Sequence, residues 1–172
     1  MQHKLLVFSD SHGYHEHLVE TVKKMQNDVT HVLHLGDGYN DYSKCLNIKD
    51  NLIFNFAPGN CDFGTGYAST STIDINDKKV LMAHGYQFDV KSTYNRICYF
   101  AEESNADICL FGHTHIPVDF YHNGILMFNP GSITFSRDLE IPTYGIINID
   151  DNGKIDYALF GIYKKTHKKV YG

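Results

Sequence analysis

The stretch Lys4-Leu5-Leu6-Val7-Phe8-Ser9-Asp10-Ser11-His12 runs straight from an apolar segment into a polar turn that carries a carboxylate and an imidazole. A short apolar run that stops at turn residues reads as a buried strand. The same event recurs along the chain. His31 to Leu35 is a second strand, ending at Gly36-Asp37, and Leu52 to Ala57 is a third, ending at Pro58-Gly59-Asn60. Lys79 to Ala83 ends at His84-Gly85, and Ile108 to Phe111 ends at Gly112-His113-Thr114-His115. Each strand therefore delivers Asp, Asn or His to a Gly-containing turn.

Between these strands the spacing changes. Leu18, Val22 and Met25 recur at helical intervals, as do Tyr94, Ile97, Cys98 and Ala101. Thr70 to Ile75 alternates and, with Lys79 to Ala83, predicts a hairpin about Asn76-Asp77-Lys78. The later chain is strand-rich, at Val118 to Tyr121, Ile125 to Phe128, Tyr144 to Ile149 and Ile155 to Phe160. Helices among early strands and strands alone later predict an α/β fold, a two-sheet β-sandwich core flanked by helices. No boundary or repeat interrupts 1–172, so one domain is expected.

Composition narrows the classes. The chain has 172 residues, 42% hydrophobic and 20% charged, which suits a domain burying roughly 70% of its unfolded surface. No stretch approaches the roughly 20 apolar residues that span a bilayer, so no membrane partner is expected. A net charge of −5 argues against a nucleic-acid polymer as partner, because backbone-phosphate binding needs a clustered positive surface. Lys164, Lys165, Lys168 and Lys169 around His167 read as a solvated tail. Cys45, Cys61, Cys98 and Cys109 have no C-x-x-C spacing, which points to a reducing cytoplasm.

In open α/β sheets, sites form where strand-end loops converge. Asp10, His12, Asp37, Asn60, His84, His113 and His115 are then candidates for one site. Asp10/His12 and His113/His115 are each two residues apart, so in a locally extended chain each pair projects to one side and chelates. Imidazole mixed with carboxylate and amide oxygen suits Mn, Fe, Ni, Co or Zn better than Ca. Seven ligands overcrowd one ion, whereas two divalent ions sharing a carboxylate would each keep open positions.

Taken in order, Asp10-x-His12, Gly36-Asp37, Gly59-Asn60-x-Asp62, His84-Gly85 and Gly112-His113-x-His115 resemble the calcineurin-like metallophosphoesterases. Asn129-Pro130-Gly131-Ser132 narrows the resemblance to the small bacterial and archaeal phosphodiesterases, over about residues 4 to 160. The resemblance implies a four-layer α/β/β/α fold and a metal-activated hydroxide acting on a small phosphodiester. It also implies that Asp10, His12 and His115 hold one metal, that Asn60, His84 and His113 hold the second, and that Asp37 bridges them. Manganese is the first expectation for both ions, with Ni, Fe, Zn and Mg also admitted. A homo-oligomer is compatible with this branch.

Many members carry His after the Asn, a proposed proton donor to the leaving oxygen, where this chain has Cys61. That departure favours diesters with acidic leaving groups over alkyl monoesters. Catalysis is then expected to fall to Asp37, Asn60, Cys61, Asp62 and His84. Asp62 is expected to orient a ligand rather than be one. A phosphomonoesterase on the same site is the near alternative. The branch also resembles a retromer subunit that keeps the fold as a protein-binding scaffold with a degraded metal site, whereas here all seven ligands are present.

Other side chains have plainer readings. His31 and His34 are expected in the core, and His15 and His17 on a helix face, with His15 able to border the cleft. Arg137 is expected in a surface ion pair more than on a phosphate. Tyr14, Tyr39, Tyr67 and Phe63 lie in loops near the ligands, where loop packing and stacking on an aryl group or base account for them equally.

Overall fold

In a computed structural model, described for residues 2–164 and 166–172, there are eleven strands and three α-helices, and the ten strands and two helices expected from the sequence fall in the expected order. The strands are β1 His3–Phe8, β2 His31–His34, β3 Ile53–Phe56, β4 Thr70–Ile75, β5 Lys78–Ala83, β6 Ile108–Leu110, β7 Val118–His122, β8 Ile125–Asn129, β9 Thr143–Ile149, β10 Ile155–Tyr163 and β11 Thr166–Tyr171. The helices are α1 Glu16–Met25, α2 Tyr39–Ser43 and α3 Asn95–Glu103.

One sheet has the order β11-β10-β9-β1-β2-β3 and the other β4-β5-β6-β8-β7. Alternation within each strand builds the layers. Leu5 and Val7 of β1 join Leu33, Val80, Met82, Leu110 and Phe128 in the core between the sheets. The intervening Leu6 and Phe8 face outward and pack with Leu18 and Val22 of α1. On the other sheet, Leu81, Cys109 and Met127 face outward onto Ile97, Cys98 and Ala101 of α3. These strands are buried on both faces, which is why they read as unbroken apolar runs. Truncating one such leucine to alanine costs about 2–5 kcal/mol.

The register positions the site. β1, β2 and β3 are parallel, with Phe8 opposite His34 and His34 opposite Phe56, so the loops after them leave at one edge. β5, β6 and β8 are likewise parallel, with Met82 opposite Leu110 and Leu110 opposite Phe128.

Two segments differ from expectation. The basic C-terminal stretch is no solvated tail: β11 pairs antiparallel with β10, and Val170 and Tyr171 pack against the inter-sheet core. Lys165, counted in that cluster, lies outside the described residues. Tyr39 opens α2, a five-residue helix too short to show a period. Among the described residues no helix is long and apolar enough to cross a membrane.

Candidate metal centre

The first sheet brings acids to the shared edge. After β1 and β2 the chain turns through left-handed conformations at Asp10 (φ 56°), His12 (φ 46°) and Asp37 (φ 56°). His113 (φ 69°) and His115 (φ 60°) do the same after β6. The Asp10/His12 and His113/His115 pairs are therefore not in the extended chain that their spacing suggested. Two left-handed residues flank one other residue in each pair, and the turn aims both side chains across the gap between the sheets. Each such non-glycine residue costs on the order of 1 kcal/mol, strain that collects at functional loops.

Hydrogen bonds hold these turns in place. Asp10 N–H donates to the Gly36 carbonyl (3.0 Å) and His12 N–H to the Asp37 carbonyl (2.9 Å). Asp62 accepts from the backbone N–H groups of Asp37 (2.7 Å), Gly38 (3.1 Å), Tyr39 (2.9 Å) and Gly59 (2.8 Å). Its carboxylate is thus committed to the two loops that carry Asp37 and Asn60. Close approach needs glycine at Gly112, where a Cβ would lie 2.8 Å from Asp10 Oδ2.

The second sheet answers with imidazoles. His84 is fully buried, and its Nδ1 lies 2.6 Å from the Leu35 carbonyl, a contact in which Nδ1–H donates and Nε2 is left as the lone-pair nitrogen. The His113 N–H donates to Asp10 Oδ2 (3.0 Å). Asn129 Nδ2 donates to the Gly112 carbonyl (2.9 Å), and Ser132 Oγ donates to the Asp10 carbonyl (2.8 Å). The Asn129-Pro130-Gly131-Ser132 loop is therefore both a turn and a brace for the loops on either sheet.

These constraints produce two donor groups, Asp10/His12/His115 and Asp37/His84/His113, with the donor atoms of each all within 4.8 Å of one another. His12, Asp37 and Cys61 form a third such group. Asp37 Oδ2 lies 3.3 Å from His84 Nε2 and 3.8 Å from His12 Nε2, so it reaches towards both main groups. Asp37 Oδ1 accepts from the Cys61 N–H (2.8 Å). Asn60 is exposed, and its amide donates to Cys61 Sγ (3.5 Å).

The groups fit cations better than they fit each other. Asp10 Oδ1 is buried and accepts no hydrogen bond, while Nε2 of His115, His12 and His84 face it at 3.1, 3.7 and 3.8 Å. His12 Nε2 stands 3.1 Å from His115 Nε2, and His84 Nε2 stands 3.1 Å from His113 Nδ1. Nitrogen lone pairs that close repel unless a proton or cation lies between them. Oxygen and imidazole donors around such gaps suit divalent first-row ions.

Electrostatics run the same way. Burial pushes the Asp10 carboxyl up, but the facing imidazoles of His115, His12 and His84 outweigh it and hold it below the carboxylate range. Burial likewise opposes ionisation of Asp37, and His84 with the Cys61 N–H reverses the balance. The nearby Asp10 carboxylate raises His12. Burial, then His84 and Lys91, pushes His113 down to about 4. Strongly displaced titrations cluster in functional clefts.

Beside the centre opens a cavity of about 340 Å³, lined by His12, Asp37 and Cys61 together with Tyr39, Phe63 and Thr65 among others. His15 is outside it and contacts Lys44 Nζ (2.8 Å). Arg137 is exposed and in no ion pair among the described residues, and its N–H donates to the His115 carbonyl (2.9 Å). His31 and His34 are buried, as expected of core residues. Sequence reasoning missed Ser9, whose Oγ donates to Asp10 Oδ2 (2.6 Å), and Asp41, which accepts from Ser11 Oγ (2.7 Å) and the Gly13 N–H (2.8 Å). The two serines flanking Asp10 were the available signal.

Residues 3–152 match the calcineurin-like phosphoesterase superfamily domain. The chain is 32% identical over 150 residues to the probable metallophosphoesterase YsnB of Bacillus subtilis, covering 86% of this chain and 85% of that protein. It is similar to the crystal structure of a conserved uncharacterized protein of Streptococcus pneumoniae, described as a predicted phosphoesterase. There the TM-score is 0.80 at 27% identity, over 100% of this chain and 99% of the other. The fold is also that of vacuolar protein sorting 29 from Cryptosporidium parvum, with TM-score 0.81, 19% identity and coverage of 99% and 97%.

Proposed function

Because the chain belongs to the calcineurin-like phosphoesterase superfamily, we propose that it hydrolyses small phosphodiesters with a pair of divalent cations held between its two sheets. The observation that carries this reading is Asp37, whose Oδ2 faces His84 on one side and His12 on the other, at 3.3 and 3.8 Å. In this reading Asp10, His12 and His115 hold one cation, Asn60, His84 and His113 the second, and Asp37 both. Manganese is the first choice, with Ni, Fe, Zn and Mg accepted by the same donors.

Cations bound there lower the pKa of water, hold phosphoryl oxygens and offset charge during in-line displacement at phosphorus. The chain's own groups prepare that surface. The Leu35 carbonyl fixes the His84 tautomer so that Nε2 faces the gap. Asp62 sets the distance between the loops of Asp37 and Asn60 through its four N–H contacts. Cys61 offers no imidazolium to protonate a departing alkoxide, which favours diesters with acidic leaving groups. Its four cysteines are all free thiols, which fits the reducing cytoplasm.

Metal-stripped protein, resupplied with Mn, Ni, Zn, Mg or nothing, tests the reading on bis(p-nitrophenyl) phosphate beside p-nitrophenyl phosphate. Metal-restored turnover of the diester with little of the monoester is expected. Equal turnover of both would replace this reading with a phosphomonoesterase, and no turnover of either with any metal would move the fold's scaffold use to first place.

A further inference from the structure

Only part of the cavity lining belongs to the cation donors. Tyr39, Asn40, Phe63 and Thr65 also line it, and none of their side chains is in a donor group. Phe63 is 88% exposed, and among the described residues no other ring lies against it. Tyr39 is fixed, its ring packed edge-on to Phe56 (5.4 Å) and beside Tyr67 (6.1 Å). The cavity thus has one anchored aromatic wall and one aromatic ring left in water beside it.

The lining's charge limits the occupant. It contains no Lys or Arg, and three of its members are aspartates. Asp41 and Asp62 are committed to donors of the chain itself, so neither neutralises a ligand cation and both repel an anion. A second phosphate is excluded and an uncharged group favoured. Polar edges are available to it: the Asn40 side-chain amide has no partner among the described residues, and Thr65 Oγ1 accepts from the Tyr67 N–H (3.4 Å), which leaves its hydrogen free to donate. A volume of about 340 Å³ is at the small end of ligand pockets and suits one ring system rather than an oligomer.

We propose that this cavity is a nucleobase subsite, so that the preferred substrate is a nucleoside-bearing phosphodiester whose base stacks on Phe63 and Tyr39 and hydrogen-bonds Asn40 and Thr65. This rests on the phosphodiesterase reading for its reaction but not for its binding. Stacking on aromatic side chains tolerates any base, while the polar edge favours a base over a plain phenyl ring.

Binding of the phosphomonoester product tests the subsite without turnover. Manganese-supplied protein is titrated calorimetrically with thymidine 5′-monophosphate and with methyl phosphate, which share the phosphate and differ in the nucleoside. The nucleotide is expected to bind tighter by about 5- to 150-fold, the range that base–aromatic stacking supplies. Phe63→Ala should erase that advantage and leave methyl phosphate unchanged, and Phe63→Tyr should keep it. Equal affinities in the unsubstituted protein would overturn the subsite, as would a preference that survives Phe63→Ala. A preference that depends on Phe63 in a protein that hydrolyses no diester would support the subsite and reject the phosphodiesterase reading alone.

Discussion

The two sheets contribute unlike halves to the centre. The loops after β1, β2 and β3 carry Asp10, Asp37 and Asp62 and brace one another through the backbone, with Asp10 on Gly36, His12 on Asp37 and Asp62 on four N–H groups. The loops after β5 and β6 carry His84, His113 and His115, and neither adds a carboxylate to the donor groups. They are referenced across the gap, His84 to the Leu35 carbonyl and His113 N–H to Asp10. The acidic half is thus self-supporting, and the imidazole half takes its position and its charge from it. His84 illustrates the dependence: burial lowers its proton affinity, and Asp37 with Asp10 overrides burial to raise it.

If the halves are unequal in this way, breaking the acidic one has the larger effect. Asp37→Ala removes the carboxylate that both donor groups approach, and turnover of bis(p-nitrophenyl) phosphate should fall on the order of 10³-fold or more, with both cations weakened. His113→Ala should weaken one cation only. Metal titrations of the two variants read the difference, and equal losses would mean the halves are equivalent.

Asp62→Ala sharpens the comparison by leaving every proposed ligand in place. Four backbone N–H groups lose a charged acceptor, and metal-free protein should lose about 3 kcal/mol in urea unfolding. Asp62→Asn should recover part of it. A variant as stable as the parent would show that the acidic loops do not need their brace.

The smallest effect is a pH slope. His34 is fully buried in the first sheet, with Nδ1 accepting from the Gly36 N–H (3.2 Å) and Nε2 beside Ser11 Oγ (3.2 Å). Burial pushes its pKa from 6.5 down to about 4. Between these values the unfolded chain holds the proton and the folded one does not. Stability from this group is complete above pH 6.5 and is lost as pH falls towards 4, at about 1.4 kcal/mol per pH unit. His31 and His113 are lowered to about the same value and add to the total, so the informative quantity is a difference. Metal-free His34→Gln should be less stable at neutral pH yet show a shallower slope from pH 6.5 to 4. Parallel curves would mean that His34 is protonated without cost.

Much of this molecule is legible in its sequence because doubly covered parallel strands are largely apolar. Leu5 to Phe8 therefore announces itself, as does His31 to Leu35 despite its two histidines, and the polar turn after each marks the site edge. The turn geometry is not legible. Nothing in Asp10-Ser11-His12 signals two left-handed residues, because that conformation is imposed by the Gly36 and Asp37 carbonyls in the loop after β2, distant in sequence. β11 hides for a different reason. An edge strand tolerates exposed Lys168 and Lys169, which makes it look like a tail while Val170 and Tyr171 pack against the core. The sequence singles out Asp62, but not its four N–H partners, which lie on two loops and at the start of α2, a helix of one turn.

The central claim is that the acidic and imidazole halves meet around two cations. Anomalous diffraction from crystals grown in manganese tests it most directly. The account predicts two peaks per chain, one among Asp10, His12 and His115 and one among Asn60, His84 and His113, with Asp37 between them. One peak, or none at saturating manganese, would contradict it.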